Sequence, residues 1–195
     1  LRIIRAFRFM ELGERGLRDL DRGLSKAISS NLDMLEKISR ERVWSELKII
    51  LSGTNAPKIV DIMRTHGVID KILDGITHSE INGNSTNYCV NLALMCRGDD
   101  SDGEKLSSLL KERLRLTREE SADIKFLHGC REVEIEASES VARVFRASLP
   151  ESRQRDVLEY LSCMGKEVSQ FEAILGSLSE LRAGNNPLID GNTLS

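Results

Sequence analysis

Arg2, Arg5 and Arg8 recur at every third position of the opening run LRIIRAFRF, residues 1–9. On a helix, positions three apart lie about 60° apart around the axis, so the three guanidinium groups wind into one cationic strip. Ile4 and Phe7, with Leu1 and Met10, fall on the other side. No acid precedes Glu11, so the like charges of the strip have no partner within the segment. An anion such as a triphosphate would compensate them, and guanidinium forks suit both phosphates and base edges. The alternative is a solvated helix face. The pattern opens with no capping residue or turn before Leu1, which leads to the expectation that the chain is part of a longer protein.

Other chemistry is sparse. The sequence has no GxxxxGK, HExxH or GxSxG motif and no Rossmann glycine fingerprint. His66, His78 and His128 lack ligand-like spacing, and each is read as a surface or core residue. Cys89, Cys96, Cys130 and Cys163 have no CxxC spacing and are read as reduced, packed cysteines of a cytoplasmic protein. The acidic run RGDDSDG (97–103) superficially resembles a calcium loop. With Gly103 as the central glycine, Gly98 and Leu109 would take the first and twelfth ligand positions, so the site is rejected. The chain offers no self-contained catalytic constellation and no metal site.

The elements that must position these residues are helical. Aromatic residues make up 4% of the chain and there are three prolines among 195 residues, while Leu, Glu, Arg, Lys and Ala are plentiful. The expected fold is all-α, an irregular multi-helix array without a sheet. In residues 39–51 a stripe of Val43, Trp44, Leu47, Ile50 and Leu51 faces Arg40, Glu41, Ser45, Glu46 and Lys48. Ser39 is the expected N-cap and Gly53 the stop. Short helices follow at 55–65 and 68–74. Thr117-Arg118-Glu119-Glu120 fits a capping box, and Pro150 opens a helix that runs to Gly165. Residues 74–87, with Gly75 and Asn82-Gly83, suit a loop between subdomains. Residues 1–50 carry 11 Lys/Arg against 8 Asp/Glu, whereas the remainder carries 17 against 23. This basic excess can meet phosphates but does not by itself identify nucleic acid. No stretch is long and apolar enough to span a membrane, and no signal peptide is present.

Two motifs carry a family resemblance. LRIIRAFRF, followed some thirty residues later by ISRERVWSELKIIL (38–51), resembles the neck of class II CCA-adding enzymes and bacterial poly(A) polymerases. Members of that family carry Glu-Asp-x-x-Arg, then two hydrophobic residues and Arg-Ala-x-Arg-Phe. A Ser-x-Glu-Arg-(Ile/Val) helix start and a Glu-Leu-Lys continuation follow. Residues 1–52 resemble this pattern throughout; MRTHGVIDKI (63–72) resembles the next helix pair, and RLRLTREE (113–120) a tail segment of some members.

The resemblance implies neck helices over 1–52, body helices over 53–82, a helical tail and tRNA-binding arm over 83–183, and a flexible end over 184–195. It places Arg2 on the arginine of Glu-Asp-x-x-Arg, which reads the Watson–Crick edge of incoming CTP or ATP. By its position one turn on, rather than from the motif, Arg5 would neutralise the phosphates, and Arg8 would be a surface or packing arginine. Ser39, Glu41 and Arg42 would brace the nucleotide-reading helix, with Trp44 and Leu47 packed beneath. Lys105, Lys111, Arg113, Arg115 and Arg118 are candidate tRNA contacts, with Arg143, Arg146, Arg153 and Arg155 behind them. The catalytic carboxylates and their Mg²⁺ belong to a preceding head domain, so the fragment alone would be inactive. Three alternatives stay open: a poly(A) polymerase, a CC- or A-adding enzyme, or a non-catalytic helical module that binds RNA or protein.

Overall fold

The computed structural model describes residues 1–11, 20 and 22–183; the expected flexible end at 184–195 lies outside them. Among the described residues there are eleven α-helices, one 3₁₀ helix and no strand. They run α1 (Arg2–Glu11), α2 (Arg22–Ser29), the 3₁₀ helix (Leu32–Lys37), α3 (Arg40–Leu51), α4 (Ala56–Thr65) and α5 (Val68–Ile72). Then come α6 (Tyr88–Met95), α7 (Gly103–Leu114), α8 (Arg118–Gly129), α9 (Glu139–Ser148), α10 (Glu151–Cys163) and α11 (Ser169–Ala183). None of the described helices is long and apolar enough to cross a membrane.

α3 is the hub, packing against α1, α4, α6 and α7. Its expected stripe is the buried face: Val43, Trp44, Leu47, Ile50 and Leu51 all lie inside. Glu46, read from the sequence as part of the polar face, is buried as well. Ser39 occupies the N-cap position, but its hydroxyl makes no capping bond. Its carbonyl instead accepts from the Arg42 and Val43 amides. The Thr117 capping box forms as expected, and Pro150 sits at the N-cap of α10.

α6 is buried on every side, because α3, α8 and α10 surround it. Such a helix needs its one polar interior residue satisfied. Asn91 donates to the carbonyls of Leu51 (2.7 Å) and Ser85 (2.6 Å) and accepts from the Ser85 amide (3.2 Å). This clasp holds the irregular segment 74–87 against the end of α3, and Ile76 and Ile81 seal it from below. The Asn82-Gly83 turn presses on α10. Gly83 has φ +81°, and a Cβ there would meet Cys163 Sγ at 2.7 Å, so only glycine fits. The acidic loop before α7 serves backbone amides: Asp99 accepts from Thr77 and Ser101, and Asp102 caps α7 through Lys105. One hydrophobic cluster runs from Ile4 to Leu178, with members from all three of the expected neck, body and tail segments.

Candidate functional site

α1 packs on α3 and α4 through Ile4 and Phe7, both fully buried. This orientation turns the arginine strip toward one residue of α3. Arg5 Nε donates to Glu46 Oε1 at 2.7 Å, and Arg8 Nη1 lies 3.0 Å from Oε2. The second contact is an ion pair without hydrogen-bond alignment, and Arg8 Nε is buried with no partner. Glu46 therefore supplies the compensation that the sequence pattern leaves to a bound anion. Two guanidinium groups share one carboxylate, so a net positive charge remains. Arg5 is half exposed, and Arg2 is exposed with no ion pair among the described residues. Arg8 also lies 5.3 Å from the ring of the exposed Phe9. The signal for Glu46 was its place three residues after Val43 and four before Ile50, which sets it at the edge of the buried stripe.

The bracing residues divide. Glu41, in the first turn of α3, pairs with Arg115 at 3.8 Å. Arg42 is exposed and reaches no carbonyl or acid among the described residues. Arg40 makes that contact instead, donating to the Glu112 carbonyl at 2.7 Å, because α7 passes on its side of α3.

A second carboxylate, Glu120, ties α3 to α6 and α8. It is buried and accepts from Trp44 Nε1 (3.1 Å), Tyr88 Oη (3.3 Å), Lys48 Nζ (3.2 Å) and the Thr117 amide (2.8 Å). Trp44 and Tyr88 meet edge to face at 5.7 Å, and the Lys48 ammonium lies over both rings. Burial pushes the Glu120 carboxyl up, but the bonds from Thr117, Lys48 and Trp44 outweigh it and hold the group below its ordinary value. Burial, with the neighbouring Cys89 and Glu120, drives the Tyr88 phenol up to about 12. Glu120 was legible only as a capping residue. Its other partners lie 32 to 76 residues away.

The tail candidates also divide. Arg113 pairs with Asp74 at 3.0 Å, tying the end of α7 to the segment after α5, and Arg115 on Glu41 ties it to the start of α3. Lys105, Lys111 and Arg118 are exposed without an ion pair among the described residues. Arg115 is the C-cap of α7 with φ 58°, a left-handed position that usually falls to glycine. Of the arginines behind them, Arg143 is held by Glu139, Arg146 by the Leu175 carbonyl and Arg153 by Asp123 at 3.1 Å. Arg155 lines a cleft of about 900 Å³ beside Glu151, Asp156, Glu159 and Glu172. Four acids against one arginine repel phosphate there.

The remaining titratable groups are packed. All four cysteines are free, and burial raises each thiol, that of Cys89 to about 12. His128 is buried with Nε2 2.9 Å from the Ser101 carbonyl. Burial outweighs that bond and lowers its pKa, so the ring is neutral and donates.

The helices that carry Arg40, Glu46, Lys48 and Lys71 fall within one recognisable stretch. Residues 19–79 match a family model described as the probable RNA and SrmB-binding site of polymerase A. No curated protein matches the chain. The polymerase A-like segment comprises α2, the 3₁₀ helix, α3, α4 and α5, and the likeness supports RNA binding. Arg2, Arg5 and Arg8 lie outside it, but Glu46, which holds two of them, lies inside. Arg113 and Arg115 also lie outside it and dock onto it through Asp74 and Glu41.

Proposed function

We propose that this chain is the neck, body and tail of a nucleotidyltransferase that extends RNA 3′ ends, of the tRNA CCA-adding kind. The observation that carries the reading is the polymerase A-like match over 19–79, beside a helix whose arginine strip is held by a carboxylate of that same segment. In this reading Arg2 offers donors to the base edge of CTP or ATP, because it is exposed and no acid among the described residues claims it. Arg5 faces the phosphates. Its bond to Glu46 fixes the guanidinium through Nε, so little orientational freedom is lost when a nucleotide arrives. Glu120 locks α3 to α6 and α8 and so keeps the nucleotide-reading end and the tail in one register.

Enzymes of this kind use Mg²⁺, which the resemblance assigns to a preceding head domain. Among the described residues no group of three His, Cys, Asp or Glu side chains is placed to hold a metal ion. Nucleotide transfer belongs to the enzyme as a whole. The reading is tested by competition: labelled tRNA bound to the chain is challenged with unlabelled tRNA or oligo(A). Preferential displacement by tRNA is expected. Displacement by oligo(A) at equal concentration favours a poly(A) polymerase instead.

A further inference from the structure

Between the 3₁₀ helix, α3, α5 and α7 lies a cavity of about 130 Å³ that no role above uses. Its floor is aliphatic, formed by Leu35, Ile38, Val43 and Ile72. Its rim is charged: Arg40, Lys71 and Arg113 line it with Glu36, and Asp33, Asp74 and Glu112 pair with the same cations from outside the lining. We infer that this cavity receives one unpaired nucleotide of RNA, its base on the aliphatic floor and its flanking phosphates on Arg40, Lys71 and Arg113. The inference rests on the reading that the chain binds RNA.

Three observations support it. The first is size, since the cavity falls well below the roughly 300–1,000 Å³ of pockets that hold whole drug-sized ligands. One base fits, but a base with its triphosphate does not. The second is convergence. Three cations from distant parts of the chain meet at one rim, two of them inside the polymerase A-like segment and the third on α7.

The third is the nature of their partners. Lys71 is 28% exposed, whereas Asp33 and Glu36, which hold it, are 91% and 66% exposed. Arg113 is 34% exposed against 68% for Asp74, and Arg40 42% against 68% for Glu112. Each cation is less exposed than the acids it meets, and Arg40 is held in addition by the Glu112 carbonyl. Ion pairs with such solvated acids are weak, so a phosphate can take the cation while the carboxylate returns to water. The acids act as placeholders for phosphates. Because duplex RNA keeps its bases stacked, only an unpaired nucleotide can use the floor. The floor has no aromatic side chain to stack on, so little preference among bases is expected.

The test measures binding of the full chain to a single-stranded oligoribonucleotide and to a blunt duplex of equal length, across salt. Lys71→Gln, Arg113→Gln and Arg40→Gln should each weaken single-strand binding about three- to tenfold and reduce the log–log salt slope by about one. Duplex binding should change little. Asp74→Asn should tighten single-strand binding about twofold by releasing Arg113. Circular dichroism melts confirm that each variant is folded. If the wild type binds RNA and all three variants match it, the cavity is not the site, while the RNA reading stands. Equal losses on both RNAs would reduce the three cations to a general patch and overturn the base pocket. Failure of the wild type to bind either RNA would overturn both readings.

Discussion

Arg5 and Glu46, 41 residues apart in sequence, meet at 2.7 Å across the packed faces of α1 and α3. The same carboxylate also faces Arg8, so one buried acid orients two arginines of the strip. The proposed nucleotide-reading strip is therefore held by a residue of the polymerase A-like segment.

Replacing that acid should separate stability from binding. Glu46→Gln keeps the shape but leaves the largely buried Arg8 without a counter-charge. The expected loss is about 1–3 kcal/mol, with Arg5 contributing little because it is half exposed. For a chain of this size that lowers Tm by about 2–4 °C per kcal/mol. Arg2→Ala should leave the melt within about 0.5 kcal/mol of wild type while weakening CTP and ATP binding. A thermal melt and a nucleotide titration on both variants check the contrast.

Glu120 should be the costlier carboxylate to alter. Glu120→Gln disturbs four donors at once and leaves Lys48 over two rings without its anion, an expected loss of about 2–4 kcal/mol. Trp44→Phe keeps most of the ring volume and removes one bond to a charged acceptor, about 1.5–3 kcal/mol. Urea unfolding of the two single variants and the double variant should show non-additivity, since both act on one network.

Stability should fall on acidification in two stages. His128 titrates below its ordinary 6.5 in the folded chain, so the unfolded chain binds more protons and stability is lost as pH drops through and below that value. Glu120 is likewise held below its ordinary 4.5; its contribution is present above that value and is lost as pH falls toward the lower folded-state value. Melts between about pH 3 and pH 8 should show both legs. His128→Gln should flatten the upper leg and leave the lower one.

Arg115 offers a test that separates fold from binding in the opposite sense. Its left-handed conformation suits glycine, so Arg115→Gly should leave stability unchanged or raise it by up to about 1 kcal/mol. The same change should weaken RNA binding, because the side chain is lost. A variant as stable as wild type that binds RNA equally well would remove Arg115 from the interface.

Much of this architecture could be read from local patterns. The stripe of α3, the Thr117–Glu120 capping box, the helix after Pro150 and the short helices α4 and α5 all follow from residues within a turn or two of one another. The pairings that build the site do not. Glu46 shares its helix with the polar residues Ser45 and Lys48, and only the docking of α1 turns it inward. The family motif singles out Arg42 over Arg40, and the path of α7 alone decides that Arg40 is the one in contact. Trp44 was legible as a packing residue, but its bond to Glu120 spans 76 positions that no periodicity connects. The rim of the cavity joins residues 40, 71 and 113 for the same reason.

The most direct measurement is the affinity of the chain for tRNA between about 50 and 200 mM salt, with Arg113→Glu and Arg115→Glu alongside. Binding is expected to weaken at least tenfold across that range and to be weaker in both variants, each with a shallower salt slope. Absence of binding at the lowest salt, or wild-type affinity and slope in both variants, would contradict it.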